Sequence, residues 1–599
     1  MADNQHIKRA WQILRQARPA YGLPENAPDS NCATIKFPVP ANEFGVPKEV
    51  AIEIHWSELF PFEEVDVYSR SKELRGFPHQ MASNGKLCLA RDIHDVIDDS
   101  LLLRVVEGVE FWLQAMASGT LLKRGDVYEL PDFDFSDNRA ADYEYKSLVY
   151  VENDERFARL RSLIGRCGYC KLHFSSLPKI LVVRDFFIDS LVGDKIADVP
   201  CNLISNSDKY TLAAWVLLPD IIIEKHRPPE NWAELYSLAN KHGIAQLERY
   251  IRYIWEHSDR SEAYLLVGWP MPDKIGGLNT TIAWRACVFG SAKQIRKGIK
   301  DDPSLISKRH PKMGDLWALS SPGSGEAIGL NWLHCENLSY RDYTARWKLN
   351  EEFINRNIAL LGCGALGSEV ADLLVRGGQK RICLIDGERM EFGNLCRHTL
   401  SSIDVGRHKA DAMGFMLRYD NPLAEISSMH WECLGAPQES EIWSKYDMLI
   451  DCTANERITY HLSVISRNLR LPYAKLFINP TAEYLTLAIS GTCVRVDEVL
   501  NGLYARLFNQ DNAQAENTID IDSYRGYDLG LSVMAPGCWH PTYPGRWINI
   551  KALAGVAVEL IEMRMREGFG CDGYAAVIRH GTDVKGLPET KVVYETEIS

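Results

Sequence analysis

Two cysteines stand where a thiol can act. In FPHQMASNGKLCLA, residues 77–90, a polar, turn-rich run ends in Cys88 between two leucines. In LSVMAPGCWHPTYPG, residues 531–545, Cys538 lies between Pro-Gly and Trp-His-Pro. Proline and glycine impose a turn and keep that second thiol out of a regular element, which puts it at a surface. A thiolate whose pKa is not far above ambient pH attacks a carbonyl carbon and carries the acyl group as a thioester. Two such thiols on one chain suit acyl exchange between sulfurs, and tethering raises their effective concentration. The bland alternatives are a packed core cysteine at 88 and an idle loop cysteine at 538.

A third feature binds rather than reacts. NIALLGCGALGSEVADLL sets Gly362, Gly364 and Gly367 as G-x-G-x-x-G directly after a strand and at the start of a helix. Glycines permit the tight turn and the close approach of a phosphate, and the helix N-terminus supplies free N–H groups and positive dipole. Asp386 ends the next strand, 24 residues beyond Gly362, where an acid can hold ribose hydroxyls. Asn394, Arg397 and Lys409 follow. A nicotinamide oxidoreductase would leave that set without a purpose, whereas a triphosphate needs cations along it and a metal bridging its oxygens.

These residues carry a resemblance. GCGALGS, DGERMEFGNLCRH, VGRHKA and IDCTAN occur in the order and spacing of the MoeB/ThiF-like adenylating family, which includes the ubiquitin-activating enzymes, and the likeness covers roughly 350–560. By that resemblance Asp386 binds ribose, Asn394, Arg397 and Lys409 bind the phosphates of ATP, and Cys538 in APGCWHP takes the acyl group from the adenylate. One departure concerns magnesium: the carboxylate usual within the last motif is Ala454 here, so Asp451 or Glu456 stands in. Members also borrow an arginine from a dimer partner; Arg341 or Arg346 suits that role, with two solvated surface arginines as the alternative.

The N-terminal part resembles the ubiquitin-conjugating fold. Phe60-Pro61-Phe62 matches its Y-P-F segment, His79 the start of its H-P-N element, and Gly85-Lys86-Leu87-Cys88-Leu89 the stretch around its acceptor cysteine. The triplet is not intact: His79 is followed by Gln80 and Met81, one residue nearer the cysteine than usual. The missing asparagine supports an oxyanion, a donor role worth roughly 3–4 kcal/mol in comparable sites. Gln80 has its spacing, and Asn84 is a second amide in reach.

Periodicity supplies the elements that must position these groups. Residues 6–18 form a helix, ATIKFPV and EVAIEIHW strands, and DDSLLLRVVEGVEFWLQAMASG a helix with an acidic start. KILVVRDFFI, TLAAWVLL, AYLLVGW and TTIAWRACVFG read as strands, NWAELYSLANKHGIAQLERYIRYIW as one or two helices, and 311–329 as a loop. From 351 strands alternate with helices, which implies βαβ units and a parallel sheet. The expected class is multidomain α/β: a conjugating-like α+β domain over 1–155, a mixed α/β linker domain over 156–345, and a Rossmann-like MoeB/ThiF adenylation domain over 346–599.

Bulk composition agrees with that plan. A chain of 599 residues exceeds one core. A net charge of −13 gives no broad footprint for nucleic acid. No signal peptide and no run of 18 apolar residues is seen, so a cytoplasmic protein without a membrane span is expected. Fifteen dispersed cysteines imply reduced thiols rather than a disulfide framework. Cys363, Cys383 and Cys452 read as packing residues, the single pair Cys167 and Cys170 as no structural metal site, and His540 as a loop histidine or a proton carrier for Cys538.

The order of the halves resembles the bacterial conjugating–activating fusion proteins of CBASS antiphage operons. The resemblance implies ATP and Mg2+ as cofactors and a protein substrate with a free C-terminus, a cGAS-like nucleotidyltransferase. It further implies adenylation, thioesters on Cys538 and then Cys88, ligation to a lysine amine, and a homodimer through the adenylation domain. The rivals are a MoeB/ThiF-type activator of a small sulfur carrier, which needs neither Cys88 nor residues 1–150, and a non-catalytic nucleotide-binding scaffold.

Overall fold

A computed structural model of the chain describes residues 5–81, 84–89, 93, 95–133, 147–176, 179–188, 195–196, 199, 201–204, 209–223, 225–244, 246–257, 262–290, 330–430, 439–508, 519–525 and 545–599. It divides into two compact units, 1–199 with 206–338, and 200–205 with 339–599. Among the described residues no helix is long and apolar enough to cross a membrane.

The first unit begins with helix α1 (Gln5–Ala17) and an antiparallel sheet of β1 (Cys32–Pro38), β2 (Glu49–His55) and β3 (Asp66–Ser69). Alternation decides which face is buried: Ala33, Ile35 and Phe37 of β1 point into the core between more exposed neighbours, and Ile35 lies opposite Ile52. Helix α2 (Leu101–Ala117) lays Val105, Val106, Val109 and Trp112 on that face. Each such side chain contributes about 1.5–3 kcal/mol through its burial.

The unit continues with β4 (Ser147–Glu152), helix α3 (Asp154–Arg161), β5 (Cys167–Ser176), β6 (Lys179–Ile188), β7 (Lys195–Ile196), β8 (Tyr210–Leu217), helices α4 (Trp232–Lys241) and α5 (Leu247–His257), β9 (Glu262–Pro272), β10 (Asn279–Gly290) and β11 (Asn331–Ser339). Their order is β4-β11-β10-β9-β8-β5-β6-β7, and β4 also pairs in parallel with β6, so seven strands close on themselves. Ring closure shields strand edges. Tyr150, Phe186, Trp215 and Trp284 pack together in one core of this sheet, and α4 and α5 cover a second. The strands and helices read from the sequence in this stretch are present; the loop expected at 311–329 lies outside the described residues. The segment 120–133 lies against this sheet: Gly125 N–H donates to the Ile275 carbonyl and Tyr128 N–H to the Asp273 carbonyl.

The second unit is the α/β half. Its elements are β12 (Asn357–Leu361), α6 (Ala365–Arg376), β13 (Arg381–Ile385), α7 (Lys409–Asp420), β14 (Glu425–Met429), β15 (Met448–Asp451), α8 (Glu456–Leu469), β16 (Tyr473–Ile478), β17 (Tyr484–Ile489), α9 (Val496–Leu507), α10 (Trp547–Glu567), β18 (Gly573–Thr582) and β19 (Pro588–Ile598). The sheet order is β14-β13-β12-β15-β16-β17-β18-β19, parallel through β16 and antiparallel beyond. The order reverses around β12, which opens a crevice at the carboxyl ends of β12 and β15.

The expectation of reduced thiols throughout is corrected by Cys493 and Cys571, which form a disulfide across 78 residues of sequence. The chain segments around them run alongside each other, with Thr492 N–H donating to the Gly570 carbonyl at 2.8 Å and Cys493 N–H to the Cys571 carbonyl at 3.0 Å. That pairing brings the two Cα atoms to 4.8 Å, inside the range a disulfide needs. Dispersed spacing carries no sign of it.

Candidate functional site

At the end of β12 the chain turns through Gly362, whose φ of +83° is a conformation side chains rarely adopt. A Cβ on Gly367 would sit 1.7 Å from the Gly362 carbonyl oxygen, so α6 can approach the strand only with glycine there. Gly364 faces open space, and a Cβ there would meet nothing within 4 Å. The three glycines therefore differ in duty: Gly362 makes the turn, Gly367 permits the packing, and Gly364 leaves the mouth of α6 bare for an anion.

A half-buried carboxylate and a buried imidazole lock that loop. Asp386 accepts the Cys363 N–H at 2.7 Å and the Glu388 N–H at 2.7 Å, while burial pushes its carboxyl above the ordinary value. His398 is buried and donates from Nε2 to the Cys363 carbonyl at 2.7 Å, and its Nδ1 accepts the Leu400 N–H at 3.1 Å. One nitrogen donates and the other accepts, so this imidazole is neutral, in keeping with a pKa lowered by burial.

Lys409 heads α7 with its side chain buried, and its Nζ pairs with Glu388 at 2.5 Å. Asn394 and Arg397 share a short 3-10 helix over Phe392–Arg397, where Asn394 accepts the Glu391 N–H through its side chain at 3.0 Å. The structure thus brings Gly362, Gly364, Gly367 and Asp386 together directly, and ties Lys409 to them through Glu388.

Asp451 ends β15 with no exposed surface. Its carboxylate accepts from Lys475 at 2.9 Å and Tyr473 at 2.7 Å, and also from the Thr453 N–H and hydroxyl and from Thr459. A divalent ion would have to displace Lys475, so Asp451 does not fit a metal ligand. Glu456 is exposed in the first turn of α8 and remains open to one. Ala454 between them has a φ of +53°, a backbone that suits Asn, Asp or Gly better than Ala. Cys363 and Cys383 are packed in the core and Cys452 is half-buried beside them. Arg341 and Arg346 are both exposed.

Cys88 is exposed. Residues 79–81 fold back on 86–88 beside β3: Cys88 N–H donates to the His79 carbonyl at 2.8 Å, Met81 N–H to the Lys86 carbonyl, and Leu87 N–H to the Val67 carbonyl. Gly85 makes the turn with φ +78°, and a Cβ there would lie 2.0 Å from the Ser69 carbonyl oxygen. Burial, and then the negative Glu129, raise the Cys88 thiol above its ordinary value, while Lys86 opposes them. Asn84 is spent on the turn, where its side-chain oxygen accepts the Lys86 N–H at 2.8 Å. Gln80 is buried, and neither its amide nitrogen nor its oxygen has a hydrogen-bond partner. Cys538 and His540 lie outside the described residues. Cys167 and Cys170 are buried in β5.

Comparison with known proteins now bears on both halves. Residues 347–556 match the ThiF family, and residues 119–315 match the Cap2 central linker domain. An "ATP-dependent ubiquitin transferase-like protein Cap2" of Enterobacter hormaechei subsp. hoffmannii is 24% identical over 498 residues, 80% of this chain and 77% of that one. The two family matches and this relative fit a Cap2-like ThiF fusion. An "Adenylyltransferase and sulfurtransferase uba4" of Aspergillus niger is 33% identical, but over 18% of this chain and 22% of its own. The crystal structure of E. coli MccB with ATP aligns over 41% of this chain and 65% of that one at 14% identity, with a TM-score of 0.28.

Within the ThiF match, sequence reasoning missed His398 and Lys475. His398 directly follows Arg397 in CRHTL, and a histidine in a run bound for a glycine loop is the available hint. Lys475 gives none, because a lysine inside an apolar strand reads as a strand-end charge until its buried partner is known.

Proposed function

We propose that the chain activates the C-terminal carboxylate of a partner protein with ATP and conjugates it to an amine. The observation that carries this reading is the nucleotide crevice at the end of β12, built from Gly362, Gly364, Gly367, Asp386 and Lys409, on one chain with the exposed, turn-presented thiol of Cys88. Residues 1–155 are read as the conjugating-like domain, 156–345 as the linker and 346–599 as the adenylation domain.

In the first step a carboxylate oxygen of the partner attacks the α-phosphorus of ATP, giving an acyl adenylate and pyrophosphate. Asn394, Arg397 and Lys409 neutralise the phosphates, Asp386 holds the ribose, and the bare N-terminus of α6 faces the anion. Glu456 would hold magnesium, which would draw charge from the phosphate oxygens of the nucleotide. The thiolate of Cys538 then attacks the acyl carbon and releases AMP. Cys88 takes the acyl group by thioester exchange, and an amine, a lysine in this reading, attacks to form the amide and return the Cys88 thiol. Gln80 supplies an amide at the acyl oxygen. The partner is a cGAS-like nucleotidyltransferase, the conjugation primes antiphage signalling, and pairing of adenylation domains brings Arg341 or Arg346 to the partner copy's nucleotide.

Non-reducing gels after mixing the chain with ATP, magnesium and a candidate partner test the relay in wild type, Cys538→Ala and Cys88→Ala. A thiol-sensitive adduct lost in Cys538→Ala, and held on the activating half in Cys88→Ala, is the expected result. An adduct indifferent to both cysteines, with pyrophosphate still released, leaves adenylation and removes conjugation, the outcome of a sulfur-carrier activator. No pyrophosphate release with any partner is the outcome of a scaffold.

A further inference from the structure

The Cys88 site holds groups that neither the conjugating-like fold nor the relay above uses, and they come from the segment that follows α2. Glu129 lies in that segment, inside the region that matches the linker domain. Its Oε1 accepts the His79 backbone N–H at 3.0 Å, and its Oε2 stands 2.7 Å from His79 Nδ1 in an ion pair. The other ring nitrogen, Nε2, lies 3.2 Å from the Leu121 carbonyl. A carbonyl only accepts, so Nε2 carries a proton, and the Glu129 carboxylate beside Nδ1 favours a second proton there and raises the pKa of the ring.

His79 is therefore no free base for Cys88. It is a tie. Its φ of +58° is unfavourable for histidine, and the double grip of Glu129 stabilises it. In that conformation the His79 carbonyl accepts the Cys88 N–H at 2.8 Å. Glu129, His79 and Cys88 form one chain of contacts.

Two more polar groups sit unsatisfied nearby. His226, from the turn before α4, is buried with its Nε2 unpartnered, and its backbone N–H donates to the Gly76 carbonyl at 2.7 Å. It feels Glu129, His79 and Asp220 and bonds the Leu130 backbone, and burial lowers its pKa so that it stays neutral. Gln80, buried with both amide atoms unpartnered, flanks the same backbone through its bridge to Leu87. Native interiors pair such groups with protein or with ordered water.

We propose that the segment after α2, which lies within 1–155 and is also covered by the linker-domain match, completes the Cys88 site, with Glu129 as a positioning residue that holds His79, and through it Cys88, in place for acyl transfer. The proposal deepens the reading of Cys88 as an acyl acceptor and rests on it. Among the described residues the charges that face Cys88 are Glu129, Asp132 and Lys86, with Lys86 itself paired to Asp66 at 2.6 Å, and those that face His79 are Glu129 and Asp126. Once His79 gives up its proton at rising pH, the Glu129 charge bears on the sulfur uncompensated and holds the thiol protonated.

The test uses the full chain without ATP or partner. Iodoacetamide labelling of Cys88 is followed by peptide mass spectrometry from pH 6 to 10 in wild type, Glu129→Gln and Glu129→Ala. Glu129→Gln keeps an oxygen for the His79 N–H and loses the charge, so its labelling midpoint moves to lower pH. Its rate at pH 8.5 rises about threefold or more, since each fall of about half a pH unit in a thiol's midpoint gives about three times as much thiolate below it. A profile that superimposes on wild type overturns the proposal. In the relay assay Glu129→Ala then slows arrival of the acyl group at Cys88 while Cys538 charges at the wild-type rate; equal arrival in both overturns it too. A shifted labelling profile in a chain whose wild-type Cys88 never takes up an acyl group sinks the acceptor reading and leaves the hold of Glu129 on the thiol standing. Glu129→Gln serves where Glu129→Ala fails to fold.

Discussion

The nucleotide crevice and the Cys88 turn are built on opposite plans. Around the glycine loop three groups are filled: Asp386 takes two N–H groups, His398 donates and accepts, and Asp451 is met by Lys475, Tyr473 and two threonines, while His408 Nδ1 beside Lys409 has no hydrogen-bond partner among the described residues. Around Cys88 the groups are half-exposed or unpartnered, as Gln80, His226 and the left-handed His79 show. A phosphate site works by waiting in its final shape, so it is assembled from backbone and buried pairs. A thioester site must admit an acyl group, release it and receive an amine, so its polar groups are left with capacity to spare. The difference teaches that the glycine loop is held by buried or half-buried, hydrogen-bonded groups, whereas the Cys88 turn keeps an amide and an imidazole nitrogen without partners among the described residues.

That contrast can be broken by substitution. The largest effect is expected at Gly367→Ala, whose Cβ meets the Gly362 carbonyl oxygen at 1.7 Å. Backbone has to move, so the adenylation domain loses about 4 kcal/mol or more and ATP-dependent pyrophosphate exchange disappears. Thermal melting together with the exchange assay checks both, and a wild-type melt would show that the loop gives way without cost.

Lys475→Ala comes next. It strands Asp451 at full burial and is expected to cost about 3–5 kcal/mol, read in urea unfolding, while Cys88 labelling is unchanged. A variant as stable as wild type would mean that water enters the pair.

The smallest effect belongs to the Cys88 side. His79 has a raised pKa, first through Glu129. A raised histidine stabilises the fold fully below its unfolded value of about 6.5 and loses that contribution as pH climbs through the folded value. Glu129 is lowered despite its burial because His79 bonds it, so its share is present above the carboxylate's unfolded value and lost in acid. His79→Asn is expected to destabilise by about 0.5 kcal/mol near pH 6, since the pair is part-exposed, and by less as pH climbs through the raised value of the folded state. A gap that widens with pH would reverse the assigned protonation.

Much of the crevice was legible because phosphate sites at strand ends use short, ordered motifs. The spacing of Gly362, Gly364 and Gly367 and the acid at Asp386 needed no partner in space to be read. The Cys88 turn was legible for the same local reason, through Asn84-Gly85 and the flanking leucines. Asp451 misled: an acid at a strand end reads as a metal ligand until the buried amine 24 residues on is found against it. Gln80 and Asn84 looked alike as amides, and packing separated them by burying one and tying the other into its turn.

Sequence by itself determined the alternation of strands and helices from 351 onward, the glycine loop and its acid, and the turn that presents Cys88. Periodicity and short motifs are local properties of the chain. Tertiary structure alone decided the antiparallel extension of the sheet by β17, β18 and β19, the ring of strands in the first unit, and the disulfide of Cys493 with Cys571. It alone joined Lys475 to Asp451, His398 to the glycine loop and Glu129 to His79, contacts across 24, 35 and 50 residues. Pairings at that distance depend on which faces the folded core brings together, and one stretch of sequence holds only one side of each.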